Sequence, residues 1–171
     1  MRKTMMLTIA TLAFAPVMVL AQDVSVDYDK TYDFSKIKTV AAKLASQPDD
    51  PLQGKRVVDG VTQALTSKGW AQADESAADA IVMIHGSSQT RKKLTAYGGG
   101  GWRMGGGMGS AQLDDYKVGS LVVDIFDAKS KSLLYRGTAS GELSDKADKN
   151  AQKIEKAIDK MFKDFPPGSK K

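Results

Sequence analysis

The stretch that most restricts how this chain folds is "YKVGSLVVDIFDAKSKSLLYRGTASGEL", Tyr116 to Leu143, where apolar residues recur with a period of two on both sides of a short polar break. Leu121, Val123 and Ile125 alternate with Val122, Asp124 and Phe126, and residues two apart share one face of a strand. The polar "DAKSK" separates this run from "LLYRGTA". A loop from Ala128 to Ser132 therefore closes a β-hairpin. That loop sets Asp124 directly opposite Arg136, and a cross-strand pair of opposite charge stabilises a sheet by roughly 0.2–1 kcal/mol. One face of such a hairpin must be covered, and the chain supplies the cover. Ile154, Ile158, Met161, Phe162 and Phe165 line one face of a helix predicted from about Asp148 to Asp164. "FPPGSKK" then stops it, because proline cannot continue the hydrogen-bond ladder.

The rest of the chain supports the same architecture. "DVSVDYD" alternates, with Val24, Val26 and Tyr28 on one side, which predicts a half-buried strand. "KTVAAKL", Lys38 to Leu44, is a second strand. Asp50 caps a first helix with Pro51 in its first turn and Gln53 three residues after the cap. Val57, Val58, Val61 and Leu65 line its inner face, and Gly69 ends it in a left-handed conformation with Trp70 folding back. Gly54 and Gly60 each weaken that helix by up to about 1 kcal/mol relative to alanine, so packing must hold it. "DAIVMIHGSSQTRKK", Asp79 to Lys93, is a strand that starts buried and turns polar. The expected fold is α+β, a two-layer sandwich in the order β-β-α-β-β-β-α. A mostly antiparallel sheet of about five strands carries two amphipathic helices on one face.

Tyr97 to Ser110, "YGGGGWRMGGGMGS", holds eight glycines in fourteen residues. A phosphate cradle needs glycines at a helix N-terminus followed by lysine and a hydroxyl. Here there is no "GK[ST]" ending, and a strand follows. Glycine costs the most entropy to order and brings no side chain to offset it. A flexible loop over 97–112 is expected, with Trp102, Arg103, Met104 and Met108 as its contacting groups. Either it is a plain connector, or those four side chains dock on a partner.

The N-terminus, "MRKTMMLTIATLAFAPVMVLAQD", has the parts of a secretory signal: Arg2 and Lys3, an apolar run from Met5 to Leu20, and small residues before Gln22. Residues 1–21 are read as a cleaved signal peptide, 22–166 as a single domain and 167–171 as a basic tail. Gln22 stands where a lipoprotein needs cysteine, and the chain has no cysteine. A soluble periplasmic protein without disulfide-linked partners is expected. Losing Arg2 and Lys3 leaves 23 basic against 20 acidic residues, a net charge of +3, too small a bias to suggest nucleic acid.

The central block resembles the signature of the domain-of-unknown-function 4136 family: a glycine, an apolar strand carrying aspartate, "DA" with lysines, then a strand ending in an aromatic, arginine and glycine. "VDYDKTYDFSKIKTVA", "KGW", "ADAIVMIHG" and "FKDFPP" follow the family's order. The resemblance implies an exported or lipid-anchored envelope protein of Gram-negative bacteria. The family has no established activity, so no catalytic residue carries over.

Other constellations are sparse. His85 is the lone histidine, whereas metal sites use two or more His or Cys ligands, so no metal or cofactor is expected. A serine triad would depend on that one histidine, with no "GxSxG" turn near any serine. Asp124 pairs with Arg136 and Asp50 caps a helix, which leaves neither carboxylate for acid–base work. Lys149, Lys153, Lys156, Lys160 and Lys163 fall within an arc of about 80° on the last helix. They make either a solvated face or a contact for an anionic envelope component. The expectation is a non-catalytic envelope module that binds or supports. An envelope protein or an anionic lipid surface is the expected partner, with a hydrolase as the competing class.

Overall fold

A computed structural model describes residues 23–46, 50–97 and 110–167. The strands are β1 (Asp23–Tyr28), β2 (Thr39–Leu44), β3 (Ala71–Gln72), β4 (Ala80–Tyr97), β5 (Ser110–Asp127) and β6 (Leu133–Glu142). The helices are α1 (Pro51–Ser67) and α2 (Ala147–Phe162). The six strands form one sheet in the order β1-β6-β5-β4-β2-β3. The pairs β1–β6, β6–β5 and β5–β4 are antiparallel, whereas β2 lies parallel to β4 and to β3. Parallel neighbours need a crossover, and α1, between β2 and β3, supplies it. The fold is α+β.

Each helix forms for local reasons. The Asp50 carboxylate accepts the N–H groups of Leu52 and Gln53 at 2.9 and 3.2 Å, satisfying donors that the first turn of α1 leaves unpaired. Gly69 (φ +94°) reverses the chain after α1, and the Trp70 N–H closes onto the Leu65 carbonyl at 3.2 Å. α2 carries the sharper apolar stripe, with Ala157, Ile158, Met161 and Phe162 all buried. Both helices cover the same face of the sheet. There Val57, Val61 and Leu65 of α1 meet Val40, Val82, Ile84, Val123, Ile125 and Tyr135. Gly60 lets the helices approach closely: a β-carbon there would stand 3.1 Å from Ile158 Cδ1.

Beyond α2 the chain folds under the sheet's end into an aromatic cluster. The Phe165 ring lies 5.0–5.9 Å from those of Phe34, Trp70, Tyr135 and Phe162, edge-on to each.

Several expectations need correction. α2 ends at Phe162, and Phe165 reaches the core from the turn beyond it. The sheet gains a sixth, two-residue strand, β3. Val26 is 49% exposed on β1, an edge strand, whereas Val24 packs on the core and the Tyr28 ring meets that of Phe34. Of the flexible loop expected over 97–112, Tyr97 belongs to β4 and Ser110 to Gln112 to β5, because the two strands stay in register up to Tyr97↔Ser110; residues 98–109 lie outside the described residues. Trp102, Arg103, Met104 and Met108, the 1–21 signal segment, Gln22 and 168–171 of the basic tail lie outside the described residues.

Candidate functional site: a cleft at one end of the sandwich

At the end of the sheet where β4 and β5 run on, the helix layer stops short. On the helix-covered face, residues at every second position are small there: Gly86 and Ser88 on β4, Gly119 on β5, Ala139 and Gly141 on β6. Small side chains under the start of a helix layer leave a hollow. The result is a cleft of about 220 Å³. Leu44, Ile84, Leu121, Val57, Ile154 and Ala157 give it an apolar wall, and Ser46, Asp50, Gln53, Glu142, Asn150 and Lys153 a polar rim. A β-carbon on Gly86 would meet no atom within 4 Å, so this part of the floor opens onto empty space.

The wall between β6 and α2 is held in place. Leu143 N–H donates to the Lys117 carbonyl at 2.8 Å. The Asn150 side chain and the Ser144 backbone exchange two bonds of 2.7 Å each. Lys153 Nζ donates to the Glu142 carbonyl at 2.6 Å. Leu143 in turn covers Gly119, where a β-carbon would stand 2.7 Å from Leu143 Cδ2. The cleft is therefore formed before anything enters it.

The opposite, helix-free face carries the other polar group of note. Asp124 is 3% exposed and is the one buried charged residue among those described. It stands across from Arg136, which donates from Nε and Nη2 at 2.6 and 2.7 Å. This bidentate pair pushes the Arg136 guanidinium further up, the hydrogen bond to Asp124 being the main cause. His85 Nε2 lies 3.9 Å from the same carboxylate, half exposed to solvent. Alternation along β4 puts His85 on the face away from the cleft, so histidine and cleft do not meet.

Two further carboxylates, Asp127 and Asp79, tie loops down. Asp127 accepts from the Ser130 and Lys129 N–H groups and from Tyr32 Oη. These bonds, led by the Ser130 N–H, lower its pKa to about 2. Burial and that same bond push the Tyr32 phenol up to about 12. Asp79 accepts from Lys38 N–H, Thr39 N–H and Thr39 Oγ1, which lowers its pKa. Among the described residues no group of three or more His, Cys, Asp or Glu is placed to hold a metal ion. Nor is any helix there long and apolar enough to cross a membrane.

The lysine stripe divides. Lys149, Lys156, Lys160 and Lys163 are exposed along α2, whereas Lys153 turns to the cleft rim. Sequence reasoning missed the cleft altogether. Its signal was there, as small residues at every second position near one end of three strands.

A six-stranded α+β sheet with two helices on one face, hollowed by glycines at one end, defines the class of this protein. The chain belongs to the family described as domain of unknown function (DUF4136), whose model matches residues 24–167. None of the curated proteins matches it significantly. Among solved structures it is similar to a DUF4136 family protein from Bacteroides thetaiotaomicron, with 13% identity, TM-score 0.55, and 85% of this chain and 96% of that one covered. It is also similar to a PDZ domain protein from Parabacteroides distasonis, with 13% identity and TM-score 0.56 over 85% of this chain. This chain spans only 36% of that second protein's length. At these identities the likeness is one of fold.

Proposed function

We propose that this chain is an exported, non-catalytic binding module of the cell envelope, and that its cleft takes the alkyl end of a small amphiphile with an uncharged head. The observation that carries this reading is the open floor at Gly86 beneath an apolar wall already held by Asn150 and Lys153. A hollow of about 220 Å³ is smaller than the pockets of about 300–1,000 Å³ that enclose drug-sized ligands. It suits one end of a molecule, not the whole. The rim carries Asp50 and Glu142 against Lys153, an excess of negative charge that disfavours an anionic head.

The non-catalytic part of the reading rests on where the reactive groups lie. His85 faces away from the cleft; Asp50, Asp79 and Asp127 are occupied by hydrogen bonds from backbone N–H groups, and Asp124 by the Arg136 guanidinium. Export rests on the N-terminal signal. Mass spectrometry of the mature protein should find Gln22 at its start, while Met1 or a lipid adduct would contradict release into the periplasm.

Binding is tested with n-octyl glucoside below its micelle concentration, followed through backbone amide shifts in NMR. Saturable shifts confined to Gly86, Ser88, Gly119 and Gly141 support the cleft. Shifts scattered over the surface, or none, count against it. A second reading draws on the exposure of Lys149, Lys156, Lys160 and Lys163: contact with an anionic lipid surface. Co-sedimentation with phosphatidylglycerol vesicles but not phosphatidylcholine vesicles, lost on Lys→Gln replacement of those four, would favour it.

A further inference from the structure

β4 and β5 outrun every other strand. β2 pairs with β4 only as far as Ile84, and β6 reaches β5 only as far as Val118. From Arg91↔Tyr116 to Tyr97↔Ser110 the two strands pair with each other alone, over seven residues each. At about 3.4 Å per residue this arm is about 24 Å long. Isolated two-stranded ribbons are marginal in water, and this one leaves two backbone edges open for pairing.

The charges on the two edges are opposite. The β4 side carries Arg91, Lys92 and Lys93, and the β5 side carries Asp114 and Asp115, with Lys117 at the base of the arm beside Leu143. Between them Leu94 and Leu113 stand opposite each other, 64% and 62% exposed. Edge charges of one sign guard against pairing with a like edge. Two β4 edges brought together would set three cations against three, and two β5 edges would set carboxylates side by side. An acidic β5 edge against a basic β4 edge is the one combination in which charge attracts.

We propose that the arm is a self-association element, in which the acidic β5 edge of one copy adds to the basic β4 edge of the next. The strands then alternate β4, β5, β4, β5 across copies, and Leu94 and Leu113 become an apolar row along the shared ribbon. Such a contact is head-to-tail, so it closes into a ring or continues as a filament. Charge selects the partner edge, while main-chain bonds and the leucine row hold it.

Charge reversal tests this without weakening the arm itself. Reversing both strands together (Arg91→Glu, Lys92→Glu, Lys93→Glu with Asp114→Lys, Asp115→Lys) keeps opposite charges across the ribbon. Light scattering over the micromolar range should show wild type and this variant each forming assemblies whose mass grows with concentration and shrinks with added salt. Reversing β4 alone should cut assembly at least tenfold in midpoint concentration. Circular dichroism and melting should show its domain intact. A wild type that stays monomeric throughout, or a β4-reversed variant that assembles like the wild type, overturns the proposal.

Discussion

Phe165 lies outside any helix, and its replacement measures how much the chain end after α2 contributes to stability. The ring is 3% exposed and contacts four other rings, those of Phe34, Trp70, Tyr135 and Phe162. Truncating a buried phenylalanine to alanine costs about 3–5 kcal/mol through lost transfer energy and the cavity left behind. Each edge-on aromatic pair adds about 0.5–1.5 kcal/mol beyond area, though four pairs sharing one ring do not sum. Phe165→Ala should therefore cost about 4 kcal/mol. For a domain of this size that lowers the melting temperature by about 8–16 °C. Phe165→Leu refills most of the volume without the ring edges and should cost about 1–2 kcal/mol. Urea titration, with the slope unchanged between variants, gives the difference directly. A loss under about 1 kcal/mol for the alanine variant would show that the segment after Phe162 is not seated in the core.

Tyr135→Phe should destabilise by about 1–3 kcal/mol, because it leaves the buried Met161 carbonyl without the phenol that now donates to it at 2.5 Å; the urea midpoint reads this. Burial holds the Tyr135 and Tyr32 phenols above their ordinary value near 10, Tyr32 at about 12. Their contribution is complete below about pH 10 and is lost as pH rises towards 12 and beyond, so stability should fall on alkaline titration and fall less in Tyr32→Phe. Asp127 has the opposite sign. With its pKa lowered to about 2, its contribution is present above about pH 4 and disappears as pH falls towards 2. Gly119→Val sets a β-carbon 2.7 Å from Leu143 Cδ2, which the Leu143 side chain relieves by turning aside, so it should lower the melting temperature modestly; Gly86→Val at an open strand position should leave it nearly unchanged.

Local periodicity made the elements readable, and non-local contacts made the site unreadable. The alternation of Leu121, Val123 and Ile125, the five-residue loop from Ala128 to Ser132 and the stripe Ile158, Met161, Phe162 are patterns within one element, so they survive in the bare sequence. The Asp50 cap is likewise local. Phe165 was misread because the i+3, i+4 spacing continues past the point where the helix ends. Nothing local says that β1 pairs with β6 across more than a hundred residues, or that Lys153 leaves its stripe to bond the Glu142 carbonyl. The cleft depends on glycines and serines from three strands lying side by side. Each alone reads as a neutral position, and only the register of β4, β5 and β6 joins Gly86, Gly119 and Gly141 into a floor.

The central claim is that this floor receives an alkyl chain, and Gly86→Leu tests it most directly. The leucine side chain enters space that is empty around Gly86, so the fold should persist while the cleft fills. Amide-shift titration with n-octyl glucoside should give saturable binding to the wild type and at least a tenfold weaker response in Gly86→Leu, at equal melting temperature. Equal binding by the two proteins, or no saturable binding by the wild type, would contradict the account.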